Sequence, residues 1–205
     1  MTQHSVFVID DDQALRDSLL MLLRGEGIRA RGFPSATALL DALPEEKTAC
    51  VITDLRMPQM EGAELIRHLS RLRGEAWPVI VITGHADVPL AVQLMKEGVV
   101  DFIEKPFDPN RILEAVRGCL SALERQEVES EAREEATSRL ASLTPRERQV
   151  FEALIDGKSN KEIAISLSIS ISPRTVEIFR AKVMQKMQVT SLSMLVRMGL
   201  RCAEV

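Results

Sequence analysis

Aromatic side chains are scarce in this chain of 205 residues: six Phe, one Trp and no Tyr, 3% in all. From residue 142 onward only Phe151 and Phe179 remain. Readers of single-stranded RNA stack bases on aromatic rings, so the scarcity argues against that class of function. Cysteine is scarce too. Cys50, Cys119 and Cys202 are odd in number and far apart, with no C-x-x-C pair and no zinc-ligand set. Reduced structural thiols in a cytoplasmic protein are expected. No run approaches the roughly 18 consecutive apolar residues of a membrane helix, so no membrane partner is expected. The opening MTQHSVFVI has no basic segment ahead of a long apolar one, and no secretory signal is expected.

What is present is ordinary in bulk and uneven in detail. Apolar residues make up 45% and charged residues 27%, as in globular proteins. The length suits one large or two ordinary domains. Residues 1–123 hold 13 Lys and Arg against 18 Asp and Glu, and residues 124–141 hold 3 against 6. Residues 142–205 reverse the sign, with 10 against 6. An acidic front and a basic tail suggest that the tail meets a polyanion.

Short apolar runs near 5–10, 28–33, 49–54, 78–83 and 100–104 alternate with helix-like segments. Leu15, Leu19, Leu22 and Leu23 are spaced for one helical face. Ser35 precedes ATALLDAL, and Asp108 precedes Pro109, both usable helix starts. Five βα units in about 120 residues predict a doubly wound, five-stranded parallel sheet with helices on both faces. Segment 121–141 is rich in Glu, Ala and Arg and lacks Gly and Pro. It reads as a polar helix continuing the preceding one, or as a partly ordered linker. From 142 the pattern is helical only. Thr144–Glu147 and Ser159–Glu162 are capping boxes, Gly157 ends a helix, Ser172-Pro173 starts a third and Ser191 a fourth. Such short capped helices suit a helix-turn-helix unit. The predicted organisation is a domain over 1–123, a helical linker over 124–141 and a small all-α domain over 142–205.

Asp10 and Asp11, Asp54, Thr83 and Lys105 each close or follow one of the apolar runs. In an open α/β sheet, ligands bind outside the carboxyl ends of the strands, so these residues should converge. Asp54 is the candidate nucleophile, since a carboxylate can take up a phosphoryl group as a mixed anhydride. Asp10 and Asp11 would hold Mg²⁺. Lys105 would pair with one phosphoryl oxygen, and the Thr83 hydroxyl with another.

At about 100° per residue, the segment Pro173–Met187 puts Val176, Phe179, Val183 and Met187 on one stripe facing a core. Arg174, Ile178, Ala181 and Gln185 oppose it, flanked by Glu177 and Lys182, a mixture suited to base edges in the major groove. Arg180, Lys186, Lys161 and Arg146 would reach phosphates.

The motifs VIDDD, TDLRMP, ITGH and EKPF resemble those of response-regulator receiver domains. The stretch LTPRERQVFEALIDGKSNKEIA…ISPRTVEIFRAKVMQKMQVTS resembles a LuxR-type helix-turn-helix. Together they are similar, end to end, to the FixJ subgroup of response regulators. The resemblance implies that a histidine kinase phosphorylates Asp54. It implies that Asp11, Asp54 and the Arg56 carbonyl ligate Mg²⁺, with Asp10 acting mainly through water, and that Phe102 is the switch aromatic. It further implies phosphorylation-driven homodimerisation, binding to double-stranded promoter DNA through the helix from Pro173, and RNA polymerase as a partner. No enzymatic activity is implied beyond assistance to the chain's own aspartyl phosphorylation and dephosphorylation. Asp12 matches a common acidic position to which no role is assigned. Ala91, Leu94, Ile112 and Val116 fit either a dimer interface or a core. LSISISPRT has one Ile-Ser pair more than the usual turn, which would lengthen the turn or extend the helix before it.

Two other classes of function fit the residues less well. A phosphohydrolase acting through Asp54 typically needs a second acid two residues on, and position 56 is Arg. A tail that binds protein or RNA would be separated from a DNA reader by a salt-dependent shift with duplex DNA but not with RNA.

Overall fold

Five strands hydrogen-bond in parallel: β1 (Ser5–Ile9), β2 (Ala30–Phe33), β3 (Ala49–Asp54), β4 (Val79–Thr83) and β5 (Val99–Glu104), in the order β2-β1-β3-β4-β5. The computed structural model describes residues 4–42, 45–73, 77–84, 88–167 and 172–203. It divides into two compact units, Met1–Gln126 and Glu127–Val205.

In the first unit the sheet has apolar side chains on both faces, as a parallel sheet must when helices cover it twice. Phe7, Ile9, Val51, Val79 and Val81 pack with Leu39 of α2 (Ala36–Ala42), with Leu65, Ile66 and Leu69 of α3 (Gly62–Arg73), and with Leu94 of α4 (Val88–Lys96). Val6, Val8, Cys50, Ile52, Ile80 and Ile82 face the other way. They meet Leu19, Leu20 and Leu23 of α1 (Gln13–Gly25) and Ile112, Val116 and Cys119 of α5 (Pro109–Ala141). The alternation follows from the two-residue period of a strand. β2 and β5 are edges. β2 buries only its two end residues, and β5 buries only Val99 and Ile103. The predicted run at 28–33 forms a strand only over Ala30–Phe33.

The strand order reverses between β1 and β3. β1 is followed by its neighbour β2 on one side, and the chain then crosses to β3 on the other. Such a switch point opens a crevice at the carboxyl ends, and the C-termini of β1 and β3 lead directly into Asp10 and Asp54.

The second unit is helical. It takes in the latter part of α5, then α6 (Pro145–Ile155), α7 (Asn160–Ser166), α8 (Pro173–Lys186) and α9 (Leu192–Ala203). Their core is Leu143, Val150, Phe151, Leu154, Ile163, Val176, Val183, Met187, Val189 and Leu195. Both capping boxes form, with Thr144 and Ser159 side chains accepting from Glu147 and Glu162 amides and the glutamates reaching back. Ser172 and Ser191 cap α8 and α9. Segment 121–141 lies wholly within α5, so the helical alternative holds over the partly ordered one. The predicted Ile-Ser expansion falls on residues 168–171, outside the described residues. Among the described residues no helix is long and apolar enough to cross a membrane.

Candidate phosphoryl-acceptor and nucleic-acid sites

Asp54 is the last residue of β3 and Asp10 follows the last residue of β1; the register sets Ile9 beside Thr53, so the two acids emerge together. Asp10, Asp11 and Asp54 each offer a carboxylate oxygen within 4.8 Å of the others. Lys105, just past β5, sends its Nζ to Asp54 Oδ2 at 2.6 Å and to Asp10 Oδ2 at 2.9 Å. Its amide donates to the Thr83 carbonyl at 2.8 Å, which ties the loop after β5 to the end of β4. Thr83 is itself buried, and Asp54 is paired with its predecessor Ile82. The peptide bond between Lys105 and Pro106 is cis. Phe102 sits lower on β5, paired with Val81, half-buried against the sheet face that α3 and α4 cover. Arg56 lies on the exposed loop after β3, and its amide donates to Asp54 Oδ1 at 3.1 Å.

The electrostatics follow from burial and charge. Burial raises the Asp10 carboxyl above its ordinary value, against the opposing pull of the Lys105 ammonium and the Asp12 amide. Burial alone would lower Lys105, but its hydrogen bonds to Asp54 and Asp10 outweigh this and hold it above its ordinary value. One ammonium thus serves two carboxylates and stays charged. The donor set suits a hard divalent cation, which prefers oxygen ligands and needs few protein carboxylates.

Three supports were not legible in the sequence. Asp12 caps α1, accepting from the Ala14 and Leu15 amides. Arg16, one turn into α1, donates to the Asp10 carbonyl at 2.6 Å. Gly62 packs so closely under the site that a Cβ there would lie 2.1 Å from the Asp54 carbonyl oxygen.

In the second unit, α8 buries Val176 and Val183, with Met187 buried at its C-cap and Phe179 partly covered, on the stripe predicted from the sequence. Arg174, Glu177, Ile178, Ala181, Lys182 and Gln185 are exposed, and Arg180 is half-exposed. Lys161 lines a groove with Arg180, Ser159 and Asn160. Lys158, which no motif singles out, lines it too, with its Nζ 3.5 Å from Asp156 Oδ2. Lys186 is not a free surface cation: its Nζ lies 2.6 Å from Glu147 Oε2 and 3.1 Å from the Ser142 carbonyl. Arg146 donates to Gln149.

Of the four residues left between interface and core, Leu94, Ile112 and Val116 are fully buried core and Ala91 is half-buried. The exposed apolar residues of α4 and β5 are Val88, Val92, Met95 and Val100.

Comparison with known proteins decides the family. Residues 6–117 match the response regulator receiver domain, and residues 141–199 match the luxR family of bacterial regulatory proteins. The chain is a two-component response regulator. Its relatives include the transcriptional regulatory protein FixJ of Bradyrhizobium diazoefficiens, 46% identical over 98% of this chain and 96% of that one. FixJ of Azorhizobium caulinodans is 50% identical over 95% and 91%. Among solved structures, the response regulator StyR superposes with a TM-score of 0.82 at 35% identity, covering 98% of this chain and all of StyR. Full-length FixJ from B. japonicum gives 0.61 at 45%, covering both chains entirely. This response regulator therefore joins a flavodoxin-like receiver to a LuxR-type DNA-binding domain, and its named relatives are regulators of transcription.

Proposed function

We propose that this response regulator takes a phosphoryl group from a histidine kinase onto Asp54 and in response dimerises and binds promoter DNA. The working division is a receiver over 1–123, a helical linker over 124–141 and a DNA-binding domain over 142–205. The reading rests above all on Lys105, which lies within hydrogen-bond reach of both Asp54 and Asp10 where three carboxylates converge.

In the transfer, an Asp54 Oδ–P bond forms as the P–N bond of the kinase's phosphohistidine breaks, and the imidazole leaves with the electron pair. The phosphoryl oxygens spread negative charge that needs counter-charge. Lys105 supplies one positive charge and exchanges its contact with the Asp54 carboxylate for a phosphoryl oxygen. Thr83 turns its hydroxyl to another, and Phe102 fills the space that Thr83 leaves. Mg²⁺ held by Asp10, Asp11, Asp54 and the Arg56 carbonyl would supply the remaining positive charge at the acceptor.

Binding the phosphoryl group better in one receiver conformation biases a two-state element. The exposed apolar residues of α4 and β5, Val88, Val92, Met95 and Val100, are the surface through which two activated receivers associate. Association brings two copies of α8 to adjacent half-sites. Arg174, Glu177, Ile178, Ala181, Lys182 and Gln185 read base edges, while Lys161, Lys158 and Arg180 engage phosphates. The promoter-bound dimer then acts on RNA polymerase in the cytoplasm.

The test is phosphoryl uptake from a small phosphodonor, with sedimentation before and after. The native chain gains a phosphoryl group and a dimer, and Asp54→Asn gains neither. An undiminished response in Asp54→Asn would exclude Asp54 as the acceptor.

A further inference from the structure

Among the described residues, three helices end in the same turn. After α1, α6 and α8, the amides of Ile28, Lys158 and Val189 donate back to the carbonyls of Leu23, Ala153 and Met184. The preceding amides, of Gly27, Gly157 and Gln188, donate to Arg24, Leu154 and Gln185. This closing turn needs a left-handed residue at its centre. Gly27 has φ 74° and Gly157 φ 78°, and both lack the Cβ that makes this region unfavourable. At the end of α8 the same place is taken by Gln188, with φ 52°. An L-residue with a side chain needs local help to stay there.

That help comes from α5. Arg139 Nη1 donates to the carbonyl of Met187, the C-cap of α8, at 3.0 Å. Its Nη2 donates to Gln188 Oε1 at 3.0 Å and to the Glu135 carboxylate. One residue earlier, Lys186 reaches the Ser142 carbonyl and Glu147. Three successive residues at the end of α8 are thus held by the segment 135–147. The Arg139 side chain is 19% exposed, so its fork is largely committed to these partners.

We propose that Arg139 is a positioning residue for DNA recognition: it fixes the angle of α8 by clamping its C-terminal turn to α5. The inference rests on the reading of α8 as the DNA-facing helix. α8 has 14 residues. It is about 21 Å long, so a tilt of about 10° pivoting at its last turn moves the far end, where Arg174 lies, by about 4 Å. Base readout tolerates far less displacement than that. A guanidinium holds two acceptors in one plane, and a lysine ammonium cannot reproduce that fork.

The experiment uses the full chain treated with acetyl phosphate. Two duplexes serve as probes: one enriched from a random pool by the native chain, and a shuffled duplex of equal composition. Arg139→Ala is expected to weaken binding to the enriched duplex by about tenfold and to the shuffled one by less than about twofold. Arg139→Lys does not restore the loss. In Arg139→Ala with Gln188→Gly, the glycine relaxes the left-handed turn and recovers the melting temperature, yet specific affinity stays low. Full recovery of specific affinity in that double variant would overturn the proposal, because Arg139 would then serve only the turn. Equal losses on both duplexes would overturn it as well, showing a diffuse charge effect. No loss in Arg139→Ala, with a loss in Arg174→Ala, removes the positioning role and leaves α8 as the reader. If Arg174→Ala is silent too, the reading of α8 fails and the inference with it.

Discussion

Asp54 and Lys105 are 51 residues apart in the chain and 2.6 Å apart in space, and Lys105 reaches Asp10 from the same position. The side chain of Asp10 is only 4% exposed, so loss of the ammonium leaves a covered carboxylate without its counter-ion. Lys105→Ala is expected to lower the unfolding free energy by about 1–2 kcal/mol at neutral pH, a figure kept small because Lys105 itself is partly solvated. Urea denaturation measures the loss. The same variant should no longer tighten on DNA after treatment with a phosphodonor.

Asp11 is the exposed member of the three-carboxylate cluster. Asp11→Asn removes like-charge repulsion at short range. Without divalent cation it should melt slightly higher than the native chain, by the equivalent of up to about 1 kcal/mol. Magnesium should raise the melting temperature of the native chain and leave that of Asp11→Asn nearly unchanged. Thermal melts with and without magnesium separate the two. A magnesium-induced rise of equal size in both would remove Asp11 from the cation site.

Gly62 is required for space rather than for φ. A Cβ at this position would lie 2.1 Å from the Asp54 carbonyl and 2.8 Å from the Leu55 Cα, and neither backbone atom can swing aside. Gly62→Ala should cost about 1–3 kcal/mol through overpacking and slow phosphoryl uptake by moving Asp54. Denaturation together with uptake kinetics tests both halves.

Glu147 carries the acid limb of the second unit. Its hydrogen bond from Lys186, with those from the Thr144 amide and hydroxyl, lowers its carboxyl from 4.5 to about 2. The carboxylate is covered by neighbours but lies near the surface, so desolvation opposes the shift only weakly. A carboxyl lowered in the folded state adds stability that is fully present above the unfolded value. That stability should therefore be complete above pH 4.5 and decline as the pH falls from 4.5 toward about 2. Melting followed across this range should show the decline in the native chain, and a shallower one in Glu147→Gln.

Two substitutions separate reading from anchoring. Arg174→Ala should weaken specific DNA binding by about 1–3 kcal/mol at fixed salt. Lys158→Ala should weaken binding to all duplexes alike and reduce the salt slope by about 1. Gel-shift titrations over several salt concentrations distinguish the two patterns.

Much of this could be read from local pattern. Strand runs, the caps at Thr144, Ser159 and Ser172, and the buried stripe of Val176, Val183 and Met187 all follow from periods of two and 3.6 residues. The convergence of Asp10, Asp54 and Lys105 was legible because parallel strands deliver their carboxyl ends to one edge. Other features were hidden because they depend on how elements meet. Lys186 looks like a phosphate contact along α8, yet α6 supplies Glu147 beside it. Leu94, Ile112 and Val116 fit a core or an interface equally well until the sheet lies under them.

The linear order of residues settled the class of fold and which side chains stand at the strand ends, because hydrogen-bonded periodicity and capping act within a few neighbouring positions. Which cations are committed to internal partners, where Gly62 leaves no room, and how Arg139 grips the end of α8 were decided only by packing. Lys186 and Glu147 are 39 positions apart and Arg139 and Met187 are 48, and even the close approach of Gly62 to Asp54 depends on how α3 packs after β3, so this geometry exists only once the elements of each unit have closed on each other.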